Sequence, residues 1–133
     1  MLPRSNHELH SPPPAVTIYK LCSRALWREA ERAGRFDGAP IDREDGFIHF
    51  STAEQVQETA DRHFRGEPDL LVVAVDAARL GADLRWEASR GGALFPHLYA
   101  PLPLEAVRSV RAVPVTPEMG PGIGGHDLSR VVP

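Results

Sequence analysis

The apolar run DLLVVAV, at residues 69–75, constrains how the rest of the chain folds. Six hydrophobic residues follow Asp69 with no polar residue at alternate positions, which predicts a strand buried on both faces. Such a strand lies inside a sheet, and each of its faces must be covered by another layer. The segments before and after it must therefore supply further strands and the covering helices.

Upstream of this run, the sequence predicts a first strand and a first helix. Residues 16–21 alternate in hydrophobicity as a strand does. Ser23 is a suitable N-cap for the helix that follows, and Gly34 is a suitable end for it. Residues 35–45 contain further turn-forming residues and are predicted to be a loop.

A second strand and helix are predicted between this loop and the apolar run. Residues 46–50 form the short strand, and Ser51 stands three residues before Glu54, a spacing typical of a capping box. We therefore expect the second helix to begin at Ser51 and to end at Gly66.

Three more strands are predicted downstream, and a Gly-Gly pair between the first two of them predicts a hairpin turn. They cover residues 84–88, 94–99 and 106–113. The order βαβαββββ predicts an α+β domain, with two early helices packed on a mainly antiparallel β-sheet core.

The two ends of the chain are predicted to be tails outside a single domain at residues 16–115. Residues 1–15 include three consecutive prolines and are expected to form a flexible N-terminal tail. Residues 116–133 form a Pro/Gly-rich C-terminal tail, whose closely spaced chain breakers do not favour a core. The histidines of these tails, among them His126, are expected to be solvated.

The composition is that of an ordinary globular domain of 133 residues, with 42% hydrophobic and 25% charged residues. The net charge of −3, with acidic and basic residues interleaved, argues against nucleic acid and anionic membranes as partners. No secretory or membrane-spanning segment is recognised, so the expected location is the cytoplasm. The single cysteine, Cys22, excludes an internal disulfide and is predicted to be a buried structural thiol.

Polar side chains occur at alternate positions in three of the predicted strands, and such positions share one face of a strand. If the three strands meet in one cleft, they bring together two imidazoles, a hydroxyl, a phenol, a carboxylate and a guanidinium. The candidates are His49 and Ser51 in GFIHFS (residues 46–51), Arg85 and Glu87 in the next strand, and Phe95, His97 and Tyr99 in FPHLY (residues 95–99). Trp86 is expected to face the core.

This set of groups suits a sugar-phosphate ligand, because arginine pairs with phosphate, a carboxylate binds ribose hydroxyls and an aromatic ring stacks on a base. Imidazoles add acid–base catalysis near neutral pH. Three alternatives stay open at this point. His49 can be a satisfied core histidine and Ser51 a plain helix cap. The domain can be a non-catalytic small-molecule-binding or regulatory module. It can also be a metal-dependent hydrolase using His49 and His97, although no compact ligand spacing supports a metal.

The two motifs GFIHFS and FPHLY, together with Ile18, Tyr19 and Lys20 and with the sequence FRG at residues 64–66, resemble the bacterial family called domain of unknown function 952. The resemblance extends over nearly all of residues 18–114 and leaves only the tails outside.

Members of that family are grouped with ADP-ribosyltransferase-like proteins, whose split β core holds NAD in a central cleft. The resemblance therefore implies a pocket for NAD or ADP-ribose as substrate, lined by His49, Ser51, Glu87 and His97. From the spacing of its residues, the chain is expected to bind no metal. The resemblance also places Lys20 or Tyr19 at the first-strand position of the pocket, and it leaves the oligomeric state and the catalytic activity open.

Overall fold

The computed structural model describes residues 16–116, 125–129 and 131–132, and the α+β class expected from the sequence is confirmed. The strands are β1 (Thr17–Ser23), β2 (Arg35–Phe36), β3 (Ile48–His49), β4 (Leu70–Asp76), β5 (Leu84–Ala88), β6 (Leu94–Leu98), β7 (Leu102–Pro103), β8 (Val107–Ala112), β9 (Val115–Thr116) and β10 (Gly125–His126). The α-helices are α1 (Arg24–Ala33), α2 (Pro40–Asp45) and α3 (Val56–His63). Two three-stranded antiparallel sheets, ordered β1-β4-β8 and β3-β6-β5, carry most of the strand residues, and β2-β7 and β9-β10 form short ribbons. In the part of the chain described, no helix combines the length and apolar character that crossing a membrane requires.

Strand β4 is the central strand of its sheet, and each of its faces is covered by a separate hydrophobic cluster. One cluster includes Val73 and Val75 of β4, and it extends to α1 and to the β3-β6-β5 sheet. The other includes Val72 and Ala74, and it extends to α3. The buried strand predicted from the apolar run is therefore confirmed, and it separates the two cores of the molecule.

Helix α1 begins and ends where its local sequence requires. The Ser23 hydroxyl accepts a hydrogen bond from the backbone N–H of Leu26 at 3.2 Å, and Gly34 follows the helix with φ of 85°. Both ends match the prediction, because capping depends on residues within one turn of the helix. Cys22, just before this helix, is buried as expected, and burial raises the pKa of its thiol to about 11.

Residues 35–45 differ from the predicted loop, because they contain β2 and the short helix α2. Pro40 occupies the first helical position, Asp42 accepts a hydrogen bond from the backbone N–H of Ala39 at 2.8 Å, and Gly46 ends the helix. A helix of six residues is too short to show a hydrophobic period, so sequence periodicity could not predict it.

The segment at residues 48–51 belongs to both large sheets. Ile48 and His49 pair with β6, and the backbone N–H of Phe50 donates to the carbonyl of Pro96 at 3.0 Å. Ser51 and Tyr19 of β1 then exchange two backbone hydrogen bonds, at 2.8 and 2.9 Å. The antiparallel core is thus divided into two sheets that share one connecting segment.

The described residues beyond 116 pack on the domain. His126 and Leu128 are buried, and the side chain of Gln57 in α3 hydrogen-bonds to the backbone of both residues. The expectation that His126 is solvated is wrong, because the ring nitrogen Nε2 lies 3.0 Å from the carbonyl oxygen of Glu67 and the residue pairs with β9. Leu128 extends the cluster that covers α3.

Replacing Leu71 by alanine tests the packing of the central strand. Leu71 is 3% exposed in the core between the sheets, so the Leu71→Ala variant should lose about 2–5 kcal/mol of unfolding free energy in a urea titration. The matched control is Leu94→Ala, at a side chain that is 54% exposed, with an expected change of about 0.5 kcal/mol or less. Equal losses for the two variants would contradict the assignment of Leu71 to the core.

Candidate functional site

Strands β3, β6 and β5 bring most of the candidate side chains onto one face of a sheet. In the register, His97 of β6 lies opposite His49 of β3 on one side and opposite Arg85 of β5 on the other. Glu87 lies opposite Phe95, which is buried. Directly opposed residues project to the same face, so the three strands do meet, a point that the alternation alone left open.

The ring of Phe47 lies at the centre of this face. Its centroid is 4.1 Å from that of His97, in a stacked arrangement, 4.6 Å from that of His49 and 5.2 Å from that of Tyr99. The two imidazole centroids are 5.5 Å apart. Phe47 covers His97, which is buried, and the sequence signal for its role is its position two residues before His49.

Glu87 holds two side chains of this face in place. Its Oε1 atom accepts hydrogen bonds from Nδ1 of His97 at 2.7 Å and from the hydroxyl of Tyr99 at 2.8 Å. The hydrogen bonds from His97 and Tyr99 lower the pKa of Glu87, while the bond to Glu87 and desolvation raise the pKa of Tyr99. Glu87 is therefore a carboxylate at neutral pH, and Tyr99 keeps its proton.

The bond to Glu87 also fixes which nitrogen of His97 is available. With the hydrogen on Nδ1 directed at the carboxylate, the lone pair lies on Nε2. Among the described residues, no group forms a hydrogen bond to this Nε2 atom. The guanidinium of Arg85 lies nearby, with its carbon 4.5 Å from the centroid of the Tyr99 ring, a cation–π contact that keeps a positive charge at the edge of the cluster.

Asp42 holds the second histidine, and sequence reasoning missed it. It is 1% exposed, and its Oδ1 atom lies 2.6 Å from Nδ1 of His49 and accepts the backbone N–H of the same residue at 3.1 Å. The ammonium group of Lys20 lies 2.8 Å from Oδ2 of Asp42 and donates to the carbonyl of His49 at 3.0 Å. The one signal for Asp42 was an acidic residue in the first turn after Pro40, a weak mark of a helix start.

The charges around Asp42 keep it ionised. Burial by itself would raise the pKa of Asp42, but the hydrogen bond from His49 and the charge of Lys20 lower it to about 2. Lys20 was expected to contact a ligand, and the structure places its buried ammonium group against Asp42 and the backbone of His49. Lys20 therefore holds Asp42 and the backbone of His49 in position.

The other nitrogen of His49 also faces a carboxylate. Nε2 lies 3.0 Å from Oδ2 of Asp45, whose side chain is 42% exposed. Both contacts are hydrogen bonds when the ring carries a hydrogen on each nitrogen, and His49 is then a cation at the rim of the cluster. The bond to exposed Asp45 can open to a ligand more readily than the bond to buried Asp42.

Two expected positions are wrong. Ser51 does not cap a helix, because α3 begins at Val56 and the Ser51 hydroxyl lies 2.9 Å from that of Thr59 in the interior. The backbone N–H of Thr52 is instead bonded by the side chain of Gln55. Trp86 does not face the core but is 42% exposed, because β5 is an edge strand and the core cluster does not reach this position.

Two histidines and a glutamate lie close together in this cluster, which are residue types that can bind a metal ion. Within residues 16–116, 125–129 and 131–132, no group of three or more histidine, cysteine, aspartate or glutamate side chains is arranged to hold a metal ion. The cluster is therefore described by its two pairs of imidazole and carboxylate.

Comparisons with known proteins find a matching family and similar solved structures. The family model for the protein of unknown function DUF952 matches residues 21–110. The crystal structure of protein CC0527 from Caulobacter crescentus is 46% identical, covers 87% of this chain and 97% of its own, and superposes with a TM-score of 0.79. The solution NMR structure of the same protein gives 50% identity over 80% and 90% of the two chains, with a TM-score of 0.69. No curated protein matches.

Replacing Asp42 by asparagine tests the buried support of the site. Asp42→Asn keeps the shape of the side chain but leaves the Lys20 ammonium without a counter-charge, so it should cost about 3–5 kcal/mol of unfolding free energy in urea. The matched control is Asp45→Asn, whose exposed carboxylate should contribute about 1 kcal/mol or less. A loss for Asp42→Asn no larger than that of the control would contradict the buried ion pair.

The pH dependence of stability tests the same carboxylate independently. The pKa of Asp42 is about 2 in the folded protein against an ordinary value of 3.8, so its stabilising contribution is complete above about pH 4 and is lost as the pH falls through about 2. The difference in unfolding free energy between wild type and Asp42→Asn should therefore narrow by about 2 kcal/mol between pH 5 and pH 2. If the difference in unfolding free energy stays constant between pH 5 and pH 2, ionised Asp42 is not the source of the stability that is lost in acid.

Proposed function

The chain belongs to the DUF952 family, and we propose that the β3-β6-β5 face binds NAD or another ADP-ribosyl or phosphoribosyl compound and performs acid–base chemistry on it. The observation that carries the proposal is a pair of histidines opposed across β3 and β6, each with a carboxylate at Nδ1. The division of the core into two bridged antiparallel sheets supports an ADP-ribosyltransferase-like arrangement.

The aromatic and cationic groups suit the two ends of a nucleotide. Phe47 and Tyr99 offer ring faces on which a base or a nicotinamide can stack. Arg85 extends beside Tyr99 with its guanidinium exposed, and a guanidinium pairs with phosphate oxygens through two parallel hydrogen bonds. A ligand that combines a flat ring, a ribose and a phosphate engages all three side chains.

His97 is the acid–base residue of this proposal. Its Nε2 accepts the proton of an acceptor hydroxyl or water while the oxygen forms a bond to the anomeric carbon of the ribose. The bond from that carbon to the leaving group breaks, and the leaving group departs with the electron pair. Glu87 stabilises the imidazolium that forms, and His49 is close enough to contact the same ribose or phosphate.

A second candidate function is binding without catalysis, as in a regulatory module. The observation that favours it is the openness of the cluster, since His49, Glu87 and Tyr99 are each about one-third exposed on a sheet face. Reactions of this kind usually proceed where water is excluded. The two candidates make different predictions about turnover at the same site.

Titration calorimetry with NAD and ADP-ribose, combined with detection of released nicotinamide by NMR, distinguishes the two. Wild-type protein should bind with saturation, and Phe47→Ala should weaken binding by about tenfold because it removes the stacking ring. His97→Asn keeps an N–H for Glu87 but no titrating ring, so nicotinamide release should fall by about 10²–10⁴-fold with little change in affinity.

His63→Ala, at an exposed histidine of α3, is the matched control and should behave as wild type. Saturable binding without any release of nicotinamide would favour the regulatory module. No heat from millimolar NAD or ADP-ribose with folded protein would refute the nucleotide site.

A further inference from the structure

A groove of about 400 Å³ lies on the β1-β4-β8 sheet, on the face that also packs on α3. Its floor is one row of side chains across the three strands, since Tyr19 pairs with Ala74 and Ala74 pairs with Ser109. Two small residues beside a large one leave a depression in the surface of the sheet. Val131 and Val132 from the C-terminal segment form an apolar wall.

A β-bulge in β8 brings Arg108 to the same groove as Arg111. Ser109 pairs with Ala74 and Val107 pairs with Val75, so Arg108 is an extra residue between two aligned pairs. In a regular strand Arg108 and Arg111 would point to opposite faces, because they are three residues apart. The bulge turns Arg108, and both arginines line the groove.

The two arginines differ in how far they are neutralised. Arg108 pairs with Asp76 at 3.2 Å, and Asp76 also lies 3.7 Å from Arg79. Arg111 has no acidic partner within the residues that the structure describes. The groove therefore carries a positive charge that is not balanced by those neighbours.

Tyr19 contributes a hydroxyl group to the lining of this groove. It is 3% exposed, it lines the groove, and no hydrogen bond to its hydroxyl occurs in the described ranges of the chain. Burial and, to a smaller extent, the charge of Glu54 raise the pKa of Tyr19, so its hydroxyl is a hydrogen-bond donor at neutral pH. This hydroxyl can therefore donate a hydrogen bond to a molecule in the groove.

We propose that this groove is a binding site for a small molecule that carries a phosphate or carboxylate group on an apolar body. Arg108 and Arg111 bind the anionic group, the hydroxyls of Tyr19 and Ser109 orient it, and the two valines contact the apolar part. The groove is lined by residues of β1, β4, β8 and the C-terminal segment and shares none with the histidine cluster, so this proposal does not depend on the proposed function.

NMR titration with phenyl phosphate and with benzoate tests the site, with uncharged phenol as the comparison ligand. At least one of the two anions should bind wild-type protein with saturation and shift the amide signals of Ser109 and Arg111, and phenol should not. Arg111→Ala should weaken binding by about tenfold or more. The Arg79→Ala variant removes a nearby exposed arginine that does not line the groove, so it should bind the anions as wild type does. The His97→Asn variant, which alters the separate histidine cluster, should also bind the anions in the groove as wild type does.

The Ser109→Leu variant distinguishes binding inside the groove from a nonspecific attraction of anions to the positive charge of the arginines. The leucine side chain fills the floor of the groove while both arginines remain, so binding of the anions should again weaken by about tenfold. Because β8 is an edge strand, we expect the fold to tolerate the larger side chain. Circular dichroism verifies folding of each variant. No saturable binding of either anion by wild type, or equal binding by wild type, Arg111→Ala and Ser109→Leu, would overturn the proposal.

Discussion

The ion pair between Lys20 and Asp42 is the interaction on which the arrangement of the site depends. It joins β1 of one large sheet to α2, and through the backbone and ring of His49 it also fixes β3 of the other. Burying two charges is costly unless further hydrogen bonds satisfy them. Here the carboxylate also accepts the N–H of Ala39, so the network is stable only when α2, β1 and β3 are all in place.

The two imidazole–carboxylate pairs of the cluster have different surroundings, and this suits different roles. Asp42 is buried among donors, so His49 is held by a part of the fold that does not rearrange easily. Glu87 is at the surface and also accepts the Tyr99 hydroxyl, so His97 is oriented by a group that a ligand can reach. One histidine is thus anchored to the core, and the other combines a fixed ring with an available nitrogen.

Features set by neighbours in the sequence could be predicted, and those set by distant contacts could not. The buried strand β4, both ends of α1 and the shared face of His97 and Tyr99 follow from local periodicity and capping. Asp42 was missed because two of its three partner residues, Lys20 and His49, come next to it only when the sheets assemble. Ser51 matched a capping pattern but is bonded to Thr59, and the exposure of Trp86 depends on strand order, which periodicity does not encode. The ligand and the reaction leave no local pattern of this kind, so they remain proposals.

The segment at residues 48–51 has a mechanical consequence. Because it pairs with β6 at one end and with β1 at the other, neither sheet can detach without breaking the hydrogen bonds of both. The β1-β4-β8 and β3-β6-β5 sheets therefore cannot separate by a hinge motion. Their backbone amide hydrogens should exchange with solvent as one cooperative unit. Access to the buried ring of His97 must therefore come from small local movements, such as rotation of the Phe47 ring away from it.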